Sequence, residues 1–386
     1  MVTKAVLAAL VAFAVAAALT PLVAKFAEHI GAVDGNKERG LGKGGIPLLG
    51  GLAIFAGALV AGLIFLPDNQ RTEGILAAAA LITIVGALDD IYELNPAYKL
   101  AGQIAAAVVL VTSGVQVDAF TFPFVHRVDL GDLGGPLTVF ALVLLMNVVN
   151  FSDGIDGLAA GVCAISAVAF SIIAFDLGRN TAGILAAIVC GASLGFLLFN
   201  FNPASIFMGD CGSNLLGLLL GAVIIEGSLK TNALIALVGP LVVLAVPFLD
   251  TGFVVAKRLK YRRVPWQGDS NHFHHRFHRI GFSQRRAVLY LYAWTLIMAG
   301  DAVALRFIPY SERSGHLNAG WATLMGLLLL LGVAASFYLV YVLEILKLRR
   351  LRAWQLRRED PDTSEHEIDA QVQRELETGE FRSVAK

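Results

Sequence analysis

The sequence from Gly135 to Phe175 reads GPLTVFALVLLMNVVNFSDGIDGLAAGVCAISAVAFSIIAF. Its two apolar runs, 135–150 and 157–175, contain no Asp, Glu, Lys or Arg and are separated by a short polar loop. Runs of this kind are typical of helices that cross the roughly 30 Å hydrocarbon layer of a membrane. The stretch therefore predicts two membrane helices joined by a polar turn.

The same pattern recurs along the whole chain, whose 386 residues are 56% hydrophobic and only 16% charged. This composition predicts an all-α polytopic membrane protein with about eleven transmembrane helices. We divide it into an integral-membrane domain at 1–345 and a charged cytoplasmic tail at 346–386. The predicted spans, which hold almost no charged residue, are 5–24, 48–66, 74–88, 100–117, 135–150, 157–175, 181–199, 213–225, 231–249, 287–305 and 320–343.

Lys and Arg residues are distributed unequally between alternate loops. Twenty of them fall in the loops on one side and in the start of the tail, 347–358, against seven on the other side. Because basic residues are enriched on the cytoplasmic side of membranes, this bias predicts an N-terminus outside and a C-terminus in the cytoplasm. The first run could instead be a cleaved signal peptide, but its removal would break the odd number of spans that fits this orientation.

Little of the chain is predicted to lie outside the membrane. Residues 115–131 alternate between apolar and polar side chains, which predicts a small external β-hairpin. Residues 367–381 could form an amphipathic helix, and a frayed tail is the alternative.

Five polar clusters interrupt the apolar runs, and the predicted topology places all of them on the cytoplasmic side. Polar groups gathered on one face of a membrane protein predict an active site that is formed by cytoplasmic loops. The clusters are Lys43 to Gly51 (KGGIPLLGG), Asp89-Asp90, Asn150 to Ala159 (NFSDGIDGLA), Asn202 to Ser213 (NPASIFMGDCGS) and Asp269 to Arg276 (DSNHFHHR).

Two of these clusters contain paired acids. The adjacent carboxylates of Asp89 and Asp90 repel each other unless Mg²⁺, a Lys or water offsets their charge. Asp153 and Asp156 lie three residues apart just before an apolar span. They could cap that helix, but two acids with two glycines and Asn150 fit a polar binding pocket better.

The cluster around Asp210 combines an acid, small residues and an aromatic side chain at the start of the predicted eighth span. A carboxylate there could hold Mg²⁺ while backbone N–H groups contact phosphate oxygens. Phe207 could stack on a base, and its alternative role is an interfacial anchor. A phosphate site beside a base site predicts a nucleotide ligand.

Three histidines, His272, His274 and His275, lie beside Arg276 in the most basic loop of the chain. This pattern favours a surface that binds a diphosphate. Zinc binding is an alternative, but no cysteine or further ligand pattern accompanies the histidines.

Together, these clusters resemble the polyprenyl-phosphate N-acetylhexosamine-1-phosphate transferases, and the resemblance covers residues 34–292. Members of that family move a sugar 1-phosphate from a UDP-sugar onto a membrane polyprenyl phosphate and release UMP. The His-x-His-His order of NHFHHR, followed by GFSQRRAV, is similar to the UDP-N-acetylglucosamine (UDP-GlcNAc) branch, which begins O-antigen, teichoic acid or arabinogalactan linkage synthesis. The muramoyl-pentapeptide branch usually has three consecutive histidines.

The resemblance implies a role for each predicted site residue. Asp210 would ligate Mg²⁺, or Mn²⁺ in its place, with Asp89 as a second ligand. Asp89 and Asp90 would act on the acceptor phosphate or the metal, and Lys99, in a K-x-x-x-Q pattern with Gln103, would contact phosphate. Substrate binding is further implied for Lys43 and Phe207 on the nucleotide, for Asn150, Asp153 and Asp156 in the nucleotide-sugar pocket, and for His272, His274, His275 and Arg276 on the diphosphate, with His274 also catalytic.

One segment departs from the family pattern. The first loop of the GlcNAc branch commonly reads Arg-Lys-x-His before its Ile-Pro, whereas this chain has Lys37-Glu38-Arg39 and Lys43-Gly44-Gly45 there. The role of Lys43 therefore rests on position alone.

The resemblance implies a Mg²⁺-dependent sugar-1-phosphate transferase of the plasma membrane, acting by direct attack or through an aspartyl-phosphate. Its partners would be a UDP-sugar, a polyprenyl phosphate and the bilayer, with a homodimer left open, and the net charge of zero argues against nucleic acid. The alternatives are a phospho-MurNAc-pentapeptide transferase, a transporter and an inactive scaffold. Transporters carry their ionisable groups near the membrane midplane, whereas most acids here lie in loops.

The orientation can be tested by cysteine labelling. We expect His126→Cys and Trp266→Cys, made singly in a cysteine-free variant, to react with an impermeant thiol reagent from the outside and the inside respectively. Labelling of both positions from one side would contradict the eleven-span topology.

Overall fold

The computed structural model describes residues 1–34, 45–122, 125–228, 283–308 and 318–342, together with a few isolated positions of the tail. Within those five ranges the chain forms ten α-helices and one two-stranded antiparallel sheet. The elements are α1 (Val2–Ile30), α2 (Gly51–Phe65), α3 (Gln70–Tyr92), α4 (Pro96–Thr112), β1 (Ala119–Phe122), β2 (Val125–Asp129), α5 (Gly134–Ser152), α6 (Leu158–Asp176), α7 (Asn180–Asn200), α8 (Gly209–Ser228), α9 (Gln284–Phe307) and α10 (Ala319–Val342).

Each described helix coincides with one predicted span, in the same order. Eight of these helices are long and apolar enough to cross a membrane, and α2 and α4 are shorter apolar helices. The described part of the chain is therefore that of an all-α polytopic membrane protein. The remaining predicted span, 231–249, and most of the tail lie outside the described residues, so the count of eleven and the orientation stay predictions.

One acid is an exception to the apolar composition of the spans. Asp301 lies inside the predicted span 287–305 and is buried in α9, where it faces Gly332 of α10. The acids of the predicted site, by contrast, lie at helix ends or in loops.

Helix α8 lies at the centre of the bundle. It packs against α2, α3, α5, α6 and α7, and its side chains from Leu215 to Val223 are almost completely buried. The close packing on α5 requires a residue without a side chain, because a Cβ at Gly217 would lie 2.6 Å from the Cα of Met146. The residues at the start of α8 are therefore held by a rigid, buried helix.

Helix α1 lies at the edge of the bundle and packs against α7 and α2 through small side chains. Ala8, Ala12 and Ala16 recur every four residues, so they share one face of α1, and all three are fully buried. Small residues allow membrane helices to approach closely and to gain packing energy between their backbones. At the closest point, a Cβ on Gly191 of α7 would lie 2.7 Å from the carbonyl carbon of Ala9.

The loop between α4 and α5 forms the predicted β-hairpin. Ala119 pairs with Asp129 and Thr121 with Arg127, with an irregular register after Thr121. The hairpin between residues 115 and 131 is thus confirmed. At the same end of the bundle, Arg71 at the start of α3 forms an ion pair with Glu226 near the end of α8, with the two atoms 3.3 Å apart.

The opposite end of the bundle collects the predicted polar clusters. Hydrogen bonds join the end of α3 to the start of α8, and the end of α5 to the same start. The segment before α2 joins them, because the N–H of Gly51 donates to the carbonyl of Met208 over 2.9 Å. Clusters that are far apart in sequence therefore meet at one end of the bundle, as predicted for those that lie within the described residues.

The close contact of α1 with α7 can be tested by adding one methyl group. We expect Gly191→Ala to destabilise the protein by about 1–3 kcal/mol, because the new Cβ overlaps the backbone of α1. Gly300→Ala is the matched control, since nothing lies within 4 Å of a Cβ at that helical position. Thermal unfolding of both variants in the same detergent gives the comparison, and equal stability would contradict the described packing.

Candidate active site

Asp210 forms the centre of the polar cluster. It lies in the first turn of α8, where the helix dipole favours negative charge. One carboxylate oxygen, Oδ1, accepts a hydrogen bond from Asn150 Nδ2 over 2.6 Å. The other, Oδ2, contacts the ammonium group of Lys99. Three helices therefore converge on one carboxylate.

The neighbouring acids of α3 have different roles. Asp90 accepts hydrogen bonds from the backbone N–H groups of Asp210 (2.7 Å) and Cys211 (3.1 Å), one with each carboxylate oxygen. It thus acts as an N-cap for α8, supplied by another helix. Asp89 accepts from the N–H of Leu94 with Oδ1 at 2.8 Å, while its Oδ2 lies 3.3 Å from Lys99 Nζ.

The cap requires glycine at position 209. Gly209 has a φ of +70°, which favours glycine, and a Cβ there would collide with the carboxylate of Asp90. The sequence Gly-Asp at the start of α8 therefore reflects both a backbone turn and the space that Asp90 occupies.

The ammonium group of Lys99 lies between two acids of the site. The residue lies in the first turns of α4, which begins with Pro96 after Asn95, whose side chain accepts from the N–H of Ala97 over 3.0 Å. From there its ammonium group reaches both Asp89 and Asp210. Of the adjacent acids, Asp89 therefore has a lysine as its partner, which is one of the three ways expected to offset the charge of the pair.

Asp153 and Asp156 do not cap α6, which begins at Leu158 after Gly157 and has no side-chain cap. Asp153 instead ends α5. Asp156 is buried, and its Oδ2 accepts from Asn202 Nδ2 (2.9 Å) and from the N–H of Ala204 (3.1 Å). This carboxylate joins the α5–α6 loop to the α7–α8 loop, a role that its spacing from Asp153 does not reveal.

A cavity of about 280 Å³ opens beside Asp210 and runs between these two loops. Six predicted site residues line it: Asp90, Asn150, Asp153, Asp156, Phe207 and Asp210. The other lining residues are Asp34, Leu48, Gly154, Ile155, Asn200 and Gly209.

Sequence reasoning missed some of these residues. The side chain of Asn200 joins the two loops. It accepts a hydrogen bond from the N–H of Gly157 at 3.0 Å and donates one to the carbonyl of Ile206 at 2.9 Å. Its place at the end of an apolar span is a signal that could have singled it out. Asp34 gave no such signal, because the residues that follow it form no recognisable sequence motif.

Gln103, the last residue of the K-x-x-x-Q pattern, lies deeper in the bundle than Lys99. Its side chain is only 1% exposed. Its amide donates to Asn214 Oδ1 over 2.7 Å and accepts from Asn147 Nδ2 over 2.9 Å. The different surroundings of Lys99 and Gln103 follow from helix geometry, because residue i+4 on α4 lies one turn deeper in the bundle.

Five predicted site residues lie outside the described part of the chain. They are Lys43, His272, His274, His275 and Arg276, and their roles stay predictions.

The acids near Lys99 also fit the predicted metal. Among the described residues, no three His, Cys, Asp or Glu side chains converge as a complete metal site. Mg²⁺ in a phosphate site needs only one or two carboxylates, with water and substrate oxygens as the remaining ligands. Asp210 and Asp89 each direct an Oδ2 atom toward the same cationic group, so the donor set fits that requirement.

The different environments of the α3 acids predict different effects of Asp→Asn substitution. Asp90→Asn should lower stability by about 0.5–2 kcal/mol, because an amide cannot accept from both N–H groups of α8. Asp89→Asn keeps the oxygen that accepts from Leu94, so we expect normal stability. Its turnover should fall by roughly 10²- to 10⁴-fold if Asp89 exchanges a proton with substrate.

Thermal unfolding and product release, measured on the same detergent preparations, separate the two effects. Asp210→Asn serves as a reference that should fold and lose most turnover, because one charge beside Lys99 is removed. Equal stability loss in Asp89→Asn and Asp90→Asn would contradict the assigned geometry.

Comparison with known proteins agrees with this site. The family described as Glycosyl transferase family 4 matches residues 73–228, which include Asp89, Lys99, Asn150 and Asp210. A protein of Bacillus subtilis named probable undecaprenyl-phosphate N-acetylglucosaminyl 1-phosphate transferase is 36% identical over 75% of this chain and 81% of its own length.

Two further relatives extend the comparison. The decaprenyl-phosphate N-acetylglucosaminephosphotransferase of Mycobacterium tuberculosis is 37% identical over 79% of this chain and 85% of its own. A phospho-N-acetylmuramoyl-pentapeptide-transferase of Desulforudis audaxviator is 34% identical over 76% of this chain and 95% of its own. On the family match and on the extent of these identities, the chain belongs to glycosyl transferase family 4.

Proposed function

We propose that this protein transfers N-acetylglucosamine 1-phosphate from UDP-GlcNAc to a membrane polyprenyl phosphate and releases UMP. The observation that carries the proposal is the convergence of Lys99, Asn150 and Asp210 at the N-terminus of α8. Asn150 and Asp210 also line the polar cavity. A lysine ammonium group beside the positive end of a helix dipole favours a bound diphosphate. The names of the relatives in Bacillus subtilis and Mycobacterium tuberculosis support the sugar and the lipid acceptor.

The reaction needs charge neutralisation and in-line positioning rather than covalent catalysis by the protein. Mg²⁺, or Mn²⁺, would be held by Asp210 with help from Asp89, and when bound it would offset the charge of the UDP-sugar diphosphate. Lys99 would hold an acceptor phosphate oxygen near that diphosphate, because its ammonium group already lies between the two acids.

Asp89 would orient the lipid phosphate or accept its last proton, since its Oδ2 faces the same place as Lys99. An acceptor oxygen then attacks the β-phosphorus of the UDP-sugar. The bond from that phosphorus to the bridging oxygen breaks, and UMP leaves with the electron pair. Asp90 is less suited to forming an aspartyl-phosphate, because both of its oxygens cap α8.

The place of the cavity suits a lipid acceptor. The cavity lies at the end of the bundle where α3, α5 and α7 end, so a phosphate at the headgroup level would reach it while the isoprenoid chain stays in the bilayer. The bias of basic residues supports a cytoplasmic site in the plasma membrane. We further propose that Phe207 stacks on uracil and that Asp153 and Asp156 border the sugar, because all three line the cavity.

The donor decides between the two branches of the family. We expect UDP-GlcNAc to be used and UDP-MurNAc-pentapeptide to be refused, because the histidine order resembles that of the GlcNAc branch. The measurement is UMP release by the purified protein with polyprenyl phosphate and Mg²⁺, with each donor in turn.

Two controls complete that assay. Asp210→Asn and excess EDTA should each stop UMP release from UDP-GlcNAc if the metal is held as proposed. Preferential use of the pentapeptide donor would overturn the branch and leave the family unchanged, whereas no UMP from either donor would overturn the proposed function.

A further inference from the structure

A second polar layer lies directly below Asp210. It consists of three amide side chains: Gln103, Asn147 and Asn214. Gln103 and Asn214 are each only 1% exposed, so they cannot serve as surface contacts for substrate. Buried amides cost free energy unless their donors and acceptors are paired, and here the three side chains pair chiefly with one another.

The hydrogen bonds of this layer run in one direction. Asn147 Nδ2 donates to Gln103 Oε1 over 2.9 Å, and Gln103 Nε2 donates to Asn214 Oδ1 over 2.7 Å. Asn214 Nδ2 then donates to the backbone carbonyl of Asp210 over 2.8 Å. The chain of amides therefore begins on α5, crosses α4 and ends on Asp210 itself.

The two layers use the same three helices, one turn apart. On α4 the pair is Lys99 and Gln103, and on α8 it is Asp210 and Asn214, each with a spacing of four residues. On α5 the pair is Asn150 and Asn147, three residues apart. Residues with these spacings lie on one face of a helix, so fixing the lower layer also fixes the upper layer.

The hydrogen bonds of the amide layer matter most for the packing of α4 against α8. These two helices meet at few points, whereas α5 packs along much of α8. The hydrogen bond between Gln103 and Asn214 is therefore a main determinant of the position of α4 along the axis of α8. A shift of α4 by a fraction of a turn would move Lys99 away from Asp210 Oδ2.

We propose that Gln103 and Asn214 are positioning residues, whose hydrogen bond sets the register of α4 against α8 and so holds Lys99 in contact with Asp210. This inference rests on the proposed function, because it assigns the pair a role in phosphoryl transfer. The residues act through Lys99 and Asp210 and do not touch the substrate.

The test compares single and double replacements by apolar side chains of similar size. Gln103→Met and Asn214→Leu each leave one buried amide without its partner, so both single variants should unfold at a lower temperature. The double variant removes both amides and should regain most of that stability. Its kcat should nevertheless stay about 10- to 100-fold below that of the unchanged protein, because α4 has lost its register.

The KM for UDP-GlcNAc should stay nearly constant in these variants. The cavity wall from Asp153 to Asp156 and the side chain of Phe207 belong to other segments of the chain, so binding of the nucleotide sugar should be spared. A role in packing alone gives a different result, in which kcat recovers together with stability in the double variant. That recovery, or a loss confined to KM, would overturn the proposal.

A matched control uses another polar pair of α8. Arg71→Met combined with Glu226→Gln removes the ion pair at the far end of the helix and should lower stability while keeping kcat per folded molecule. The unchanged protein is the reference throughout. If it releases no UMP, the proposed function fails, whereas an active reference with an equally active double variant fails only the positioning role.

Discussion

The organisation of the site depends on one interaction, the capping of α8 by the carboxylate of Asp90. The N–H groups at the start of a helix need partners, and the Asp90 carboxylate supplies them for Asp210 and Cys211. Because the cap comes from α3, forming it also brings Asp89 beside the start of α8. The close fit continues below the cap, where a Cβ at Gly86 would lie 2.7 Å from the carbonyl carbon of Asp210. The hydrogen bonds that satisfy the N–H groups of α8 are thus the same ones that bring the parts of the site together.

Much of this arrangement could be predicted from the sequence. The ten described helices follow apolar runs whose length is set by the membrane, and such runs need no tertiary information to be recognised. The residue types of the site were also predictable, since carboxylates, an amide and a lysine at helix ends are what a diphosphate and a metal require. The adjacent acids Asp89 and Asp90 already indicated a need for a compensating partner, and Lys99 is that partner for Asp89.

The division of roles between similar residues could not be predicted in the same way. Asp89 and Asp90 are equivalent as sequence, and only the direction of each side chain from the end of α3 makes one a cap and the other a partner of Lys99. Asp156 presented the same difficulty, because its partners, Asn202 and Ala204, come from a distant loop. The partners of Gln103 were not predictable either, because a four-residue spacing predicts a helix face shared with Lys99 but not the depth at which Gln103 meets its neighbours.

The cap on α8 has a consequence for inhibitors and for resistance to them. One wall of the cavity consists of Gly209 and the Asp90 carboxylate behind it, and a side chain at position 209 has no room. A compound that rests against this wall would meet a surface that a single substitution cannot make bulkier without displacing the cap. Escape mutations would have to arise at other residues that line the cavity, such as Leu48 and Asp34. Ligands that contact this wall would therefore be the least sensitive to substitution, because the cap of α8 leaves no room for a side chain at position 209.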